Sequence, residues 1–265
     1  MEKTIMTFSK DALAGQHIVI TGGVGALGIG IVKKLTEHGA VMTVNDIVPD
    51  DEALNRLNNA GIDTPKIRYV NADVTEKSGV EKVLERGITQ FGHIQTALCH
   101  TGMVQTVKLI DVEPDAWDKT MAVNVKSAML VGQAAAKHML QNGIRGQLIF
   151  TTSWVAETPW PEIGPYNTSK AAMNQLMRSF ARELAADGIR ANALAPGIVG
   201  AGMAKLQWDT DPSYKARAQK AIPLGELQTI ESVADAFLFL CSPAAAYMTG
   251  SVMVVDGGCG LYPMD

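Results

Sequence analysis

The sequence predicts an α/β fold, a doubly wound parallel sheet of about seven strands with helices on both faces. Three observations lead there. Short apolar runs recur along the chain without clean polar alternation, as in strands buried on both faces. Segments with helical apolar spacing lie between them, and regular strand–helix alternation is the pattern of a parallel sheet. No Pro/Ser-rich linker, charge block or internal repeat divides the 265 residues, so residues 1–265 are expected to form a single domain.

The elements follow in order. Residues 1–13 are expected to be a flexible lead-in, since 1–10 carry charges and lack a signal-peptide apolar segment. Residues 17–21 form the first strand, and a glycine-rich turn follows. Residues 26–38 read as a helix that stops at Gly39, a residue suited to a helix C-terminus. Residues 41–44 are strand-like, 51–60 are helical before Gly61, and 66–70 give the third strand. A helix over 77–91 ends at Gly92, 94–99 is the fourth strand, and 114–141 is a long helical zone. Residues 146–152 give the fifth strand, 165–186 a helix before Gly188, and 189–195 the sixth strand. A helix over 230–241 precedes the seventh strand at 251–255. The least regular stretch, 197–227, is expected to be a flap over the active crevice, because long excursions in compact domains are often lids.

Composition excludes several classes. With 47% hydrophobic and 19% charged residues the chain is globular rather than disordered. A net charge of −4 argues against nucleic-acid binding, and no apolar run approaches the ~18 residues of a membrane span. Cys99, Cys241 and Cys259 lie far apart and form no ligand cluster, so no metal site is expected. Reduced thiols in a cytoplasmic protein are the expectation.

Two stretches carry chemistry. Between the first strand and first helix, Gly23, Gly25 and Gly28 fit GxGxxG, which lets a pyrophosphate approach the backbone and rest on a helix N-terminus. Asp46 ends the second strand ~20 residues on, where a carboxylate can accept hydrogen bonds from the hydroxyls of an adenosine ribose. It would repel a 2′-phosphate, and Ile47 and Val48 offer no cation against that repulsion, which favours NAD over NADP. Asp73 reads equally well as an adenine contact and as a helix N-cap. Further on, Ser153 closes an apolar run, and Tyr166 and Lys170 stand four apart at the start of a helix, on one face. Serine, phenol and ammonium together make a proton-handling site.

The chain resembles the short-chain dehydrogenase/reductase family from about Ala14 to Gly258. The resemblance rests on Thr21-Gly22-(x5)-Gly28, Asp46, Asp73, Asn124 in Val123-Asn124-Val125, Ser153 with Tyr166-x-x-x-Lys170, Pro196-Gly197 and Val255-Asp256-Gly257-Gly258. It implies a Rossmann-type domain and a homo-oligomer, dimer or tetramer. It also implies that Tyr166 is the general base in alcohol oxidation and the acid in the reverse. Ser153 would hold the substrate oxygen, and Asn124 would anchor a water relaying protons from Lys170. Lys170 would bind the nicotinamide ribose and, with the positive nicotinamide, lower a phenol pKa that is about 10 when free. The implied cofactor lining comprises Gly22, Gly25, Ala26, Leu27, Gly28, Asp46, Asp73, Val74, Thr101, Gly102, Tyr166, Lys170, Pro196, Gly197 and Val199. Three positions depart from the family pattern. Ala26 stands at the second turn glycine, His100-Thr101-Gly102 replaces Asn-Ala-Gly, and Ala201 stands where a threonine holds the nicotinamide amide.

The segment between Ser153 and Tyr166 joins the two ends of the proton-handling site and should line the substrate pocket. Its Thr-Pro-Trp-Pro-Glu wording resembles that of glucose 1-dehydrogenases in the family. Indoles at Trp154 and Trp160 suit the C–H faces of a sugar or polyol, and Glu157 and Glu162 suit its hydroxyls. Packing of those indoles against the flap or a neighbouring subunit is the other reading. Lys205, Gln207, Trp208 and Arg217 add flap contacts, including to an anionic substituent. An NAD-dependent sugar or polyol dehydrogenase is the leading expectation. The alternatives are a 3-oxoacyl-type carbonyl reductase and a non-catalytic cofactor-binding protein.

Overall fold

The structure, a computed structural model, describes residues 8–261; the first seven residues of the expected lead-in lie outside the described residues. Strands β1 (His17–Thr21), β2 (Val41–Asp46), β3 (Ile67–Asn71), β4 (Thr96–Cys99), β5 (Gln147–Thr151), β6 (Arg190–Pro196) and β7 (Val252–Val255) form one sheet. Its order is β3-β2-β1-β4-β5-β6-β7 and every pair is parallel. The chain therefore starts mid-sheet, winds outward to β3, returns beside β1 at β4 and winds outward again. The strand ends between β1 and β4 form the crevice where such sheets bind ligands.

Alternate strand residues face opposite layers. Ile18, Ile20, Met42, Val44, Leu98 and Leu194 pack against α1 (Gly28–Glu37), α2 (Asp50–Asn59) and α9 (Ile230–Cys241). Val19, Ala97, Cys99, Leu148, Phe150 and Ala193 pack against α3 (Lys77–Phe91), α5 (Ser127–Gln141) and α6 (Gly164–Leu184). In α1 the buried residues Gly28, Ile31, Val32 and Leu35 make one stripe, and Gly39 at φ +99° ends it.

Two regions depart from the sequence reading. The helical zone 114–141 is not one uniform helix: α4 (Pro114–Met121) runs through a π-helical turn, Ala122–Lys126, into α5. The stretch 197–227 is not irregular either, for it carries α7 (Gly202–Thr210) and α8 (Pro212–Ala221). Asp211 caps α8, accepting from Ser213 N and Tyr214 N, with Pro212 in the first turn. That cap was legible in the sequence, but weak apolar spacing on both helices hid them. Among the described residues no helix is long and apolar enough to cross a membrane, and Cys99, Cys241 and Cys259 are buried, unpaired thiols.

The glycine turn shows why α1 starts where it does. A Cβ on Gly28 would stand 2.3 Å from Gly22 O and 2.8 Å from Gly23 Cα, whereas one on Gly25 would stand 3.3 Å from Gly22 O. Gly28→Ala is therefore expected to cost ~1–3 kcal/mol and to weaken dinucleotide binding. Gly25→Ala should cost less than half as much; denaturant melts of the two variants check the ordering.

Candidate active site

Five parallel strand ends and the loops after them build a cleft of about 740 Å³. At one end the turn after β1 presents Gly22, Gly25, Ala26 and Leu27. Gly22 adopts φ +70°, and a Cβ there would press on Thr101 at 3.1 Å. Among the described residues no side chain caps the N-terminus of α1, so its leading N–H groups are available to an anion. Asp46 closes this end. Its Oδ2 accepts from Val24 N at 3.3 Å and its Oδ1 from Ile47 N at 2.8 Å. Arg56 is tied to Val24 O and to Glu52 rather than lining the cleft. Asp73 and Val74 form the side wall, where Asp73 Oδ1 accepts from Thr75 N and Thr75 Oγ1. Asp73 lines the cleft but is not a helix N-cap: α3 is capped at Glu76 without a side-chain bond, and Asp73 closes only the local turn to Thr75.

The opposite end is the Tyr166–Lys170 face of α6. Lys170 is 3% exposed. Its Nζ donates to Thr151 O at 2.8 Å, approaches Met173 Sδ at 3.7 Å and stands 5.4 Å from the centroid of the Tyr166 ring. Burial alone lowers Lys170 to about 8. Burial pushes the Tyr166 phenol up to about 12, opposed by a hydrogen bond with Ser153. The protein's own groups therefore move the phenol opposite to the expected direction, because desolvation of the phenolate outweighs the hydrogen bond from Ser153. Ser153 sits at the end of β5 with its Oγ 3.4 Å from Val155 N.

Asn124, wholly buried in the π turn, holds the floor: its Oδ1 accepts from Met103 N, and its Nδ2 donates to Met103 O and Ser169 Oγ. A Cβ on Gly102 would stand 3.4 Å from Lys170 Nζ and 3.6 Å from Asn124 Oδ1, so the three converge. His100, at the family's asparagine position, braces β4 to β5 through Nδ1 and Thr151 Oγ1 at 2.9 Å. Thr21 Oγ1 accepts from both His100 N and Thr101 N. Burial first, then the Lys170 charge, lowers His100 to about 3, so it is a neutral brace. The sequence left this bracing role open.

A second, smaller pocket of about 150 Å³ adjoins the first, with Tyr166 and Val104 on the wall of both. Ser153, Trp154, Trp160, Glu162 and Arg217 line it, with Thr106, Gln207 and Tyr214, of which Thr106 and Tyr214 carried no sequence signal. Trp154 packs edge-on to Trp160, and Trp160 edge-on to Tyr214. The indoles thus join the flap core as well as the pocket wall. Several expected contacts are absent. Glu157 is exposed and lies toward Asn174, Lys205 pairs with Asp209 on the surface, and Trp208 packs beneath Lys215.

Of the residues expected at the cofactor, four lie elsewhere than the cleft wall. Gly28 is buried behind the turn. Gly197 and Val199 line the smaller pocket, and Pro196 lines neither cavity. Gly197 is needed for packing, since a Cβ there would stand 2.7 Å from Asp256 Cα. Ala201 begins α7 without a side-chain cap, and Val199 is bridged to Gln228. An open α1 N-terminus, a carboxylate at the β2 end and a crowded glycine turn fit an extended dinucleotide, with its far end beside Lys170.

Comparison with known proteins is consistent with this geometry. The sequence profile of the family described as Enoyl-(Acyl carrier protein) reductase matches residues 23–260. Short-chain dehydrogenase reductase 4 of Arabidopsis thaliana is 31% identical over 258 residues, 96% of this chain and 85% of that protein. Glucose 1-dehydrogenase of Gluconobacter oxydans is 28% identical over 253 residues, 96% of this chain and 95% of that protein. Among solved structures, 3-ketoacyl-(acyl-carrier-protein) reductase from Brucella melitensis complexed with NADH superposes with a TM-score of 0.84 at 27% identity. That match covers 94% of this chain and 100% of the other.

The buried ammonium has a pH signature. Lys170 sits at about 8 in the folded chain against 10.5 ordinarily. Between those values the unfolded chain binds more protons, so stability rises with pH. The penalty is full below pH 8 and gone above about 10.5. The Tm of the wild type relative to Lys170→Met is therefore expected to climb by several degrees between pH 7.5 and 10. A constant difference across that range would refute the assignment.

Proposed function

Because the chain belongs to the short-chain dehydrogenase/reductase family and is an NAD(P)-dependent oxidoreductase, we propose that it uses NAD and interconverts a sugar or polyol with its carbonyl product. One observation carries the proposal. Tyr166, flanked by Ser153 and Lys170, forms the wall shared by two cavities, one shaped for a dinucleotide and one for a small polar guest.

In this reading Ser153 Oγ holds the substrate oxygen. The Tyr166 oxygen, as phenolate, takes the alcohol proton during oxidation and, as phenol, gives it to the carbonyl oxygen during reduction. When bound, the nicotinamide accepts or supplies the hydride and, oxidised, adds a positive charge beside the phenol. Lys170 holds the ribose hydroxyls and adds its own charge. Asn124 fixes the Met103 loop and the π turn beside Lys170, where a water relay would begin. Asp46 would hold the adenosine ribose hydroxyls, and Ile47, 73% exposed beside it, offers no cation for a 2′-phosphate. Glu162, Gln207 and Thr106 supply polar groups for hydroxyls, and Trp154 and Ile198 supply apolar walls. The Gluconobacter glucose 1-dehydrogenase supports a sugar substrate. A cytoplasmic dimer or tetramer, with α7 and α8 as the flap, completes the reading.

Carbonyl reduction of the 3-oxoacyl type is the second reading. It is favoured by a Tyr166 phenol held near 12, a good proton donor at neutrality, and by the Brucella reductase.

NAD- and NADP-linked absorbance assays over aldoses, polyols, hydroxy acids and ketones separate the two. Ketone reduction with no oxidation of any polyol would overturn the sugar reading. Tyr166→Phe is expected to lower kcat ~10³-fold with NADH binding intact; near-normal turnover would refute its role. Asp46→Ser should lower kcat/KM for NAD about tenfold, the loss of roughly one charge-assisted contact, and raise it for NADP. An unchanged ratio would remove Asp46 from cofactor choice.

A further inference from the structure

Arg217, on α8, reaches the smaller pocket from the flap. Its guanidinium carbon stands 5.1 Å from the centroid of the Trp160 ring, so the cation occupies an indole that a sugar ring would otherwise use. Its Nε is buried and has no hydrogen-bond partner among the described residues. Two carboxylates lie near. Asp211 is committed to the α8 cap through Ser213 and Tyr214. Glu162 Oε2 is 3.9 Å from Nη2, beyond hydrogen-bond distance.

Glu162 is also held apart by its backbone. It has φ +64°, a left-handed conformation that favours glycine, and its carbonyl accepts from Val107 N at 2.6 Å. Strained non-glycine residues persist where the surroundings over-determine them, often at ligand sites. The result is a guanidinium over an indole, its buried Nε unpaired among the described residues, in a pocket that Ser153 and Tyr166 also line. A planar fork of this kind is satisfied by a bidentate carboxylate.

We propose that the substrate is a hydroxy acid, a polyol or ring alcohol bearing a carboxylate that docks on Arg217 while its carbinol faces Ser153 and Tyr166. The proposal rests on the dehydrogenase reading above and narrows its substrate class. Glu162 then serves as the counter-charge that a carboxylate displaces, and it selects against neutral guests only weakly.

The test is binding to the enzyme–NADH complex, followed by tryptophan fluorescence and calorimetry. It uses two matched pairs: gluconate with glucitol, and cyclohexanecarboxylate with cyclohexylmethanol. Each carboxylate is expected to bind about tenfold or more tightly than its neutral partner, the size of a charge-assisted contact. Arg217→Gln should bring the pairs to parity, Arg217→Lys should retain part of the preference, and Glu162→Gln should increase it. Neutral ligands binding as well as carboxylates, no carboxylate binding at all, or a preference that survives Arg217→Gln would each overturn the proposal. Should Arg217→Gln not fold, the wild-type comparison and Glu162→Gln decide. Turnover is read separately. Polyol oxidation without a carboxylate preference removes only this inference, and a carboxylate preference without any polyol oxidation removes only the sugar reading.

Discussion

The site depends on an ammonium kept inside the protein without a carboxylate. Lys170 is 3% exposed, its only close partners among the described residues are a carbonyl oxygen and a thioether, and burial alone lowers its pKa to about 8. A charge in that setting is unfavourable, and the rest of the fold must offset it. A pairing carboxylate would have relieved the strain and cancelled the field at the phenol. The neutral surroundings leave that field directed at Tyr166 and the cleft. His100 belongs to this arrangement, since an imidazole held near 3 braces the Thr151 hydroxyl without adding a competing cation.

The sheet order then explains why the larger cleft meets this ammonium. Because the chain reverses between β1 and β4, the loops after those strands diverge and leave a crevice over the strand ends. The glycine turn and Asp46 stand on one side of the reversal. β5 delivers Thr151 and Ser153 on the other, and α6 brings Tyr166 and Lys170 across. The π turn at Ala122–Lys126 sets Asn124 under Gly102, where a regular helix would rotate it away.

Much of this was legible because it is local. Strand–helix alternation, Gly28, Asp46, and Tyr166 with Lys170 are short-range patterns whose geometry follows from 3.6 residues per turn and from crowding at a tight turn. The π turn was not legible, since one inserted residue barely disturbs the apolar spacing. The flap helices were hidden by weak periodicity, although Asp211-Pro212-Ser213 announced the start of α8. The direction of the Tyr166 shift escaped because desolvation depends on what packs around the phenol, which neighbours in sequence do not reveal. Glu157 and Glu162 looked alike in the chain. In the fold Glu162, with a left-handed backbone, lines the pocket, and Glu157 is exposed outside it.

That last contrast bears on how specificity is encoded here. In the proposed reading, proton transfer needs three groups fixed on one strand end and one helix, whereas the pocket wall is assembled from the Ser153–Tyr166 segment and helices α7 and α8. Trp160 links them: Trp154 and Tyr214 meet it edge-on, Arg217 lies over its ring, and Asn167 donates to its carbonyl. An indole held in this way works as a platform that orients a cation, so it is not an open face for stacking. Changes in the flap can therefore alter which guest is held without moving Tyr166. Conversely, the proposed chemistry constrains the segment only at its ends, Ser153 and Tyr166, and leaves the residues between to set the charge of the pocket.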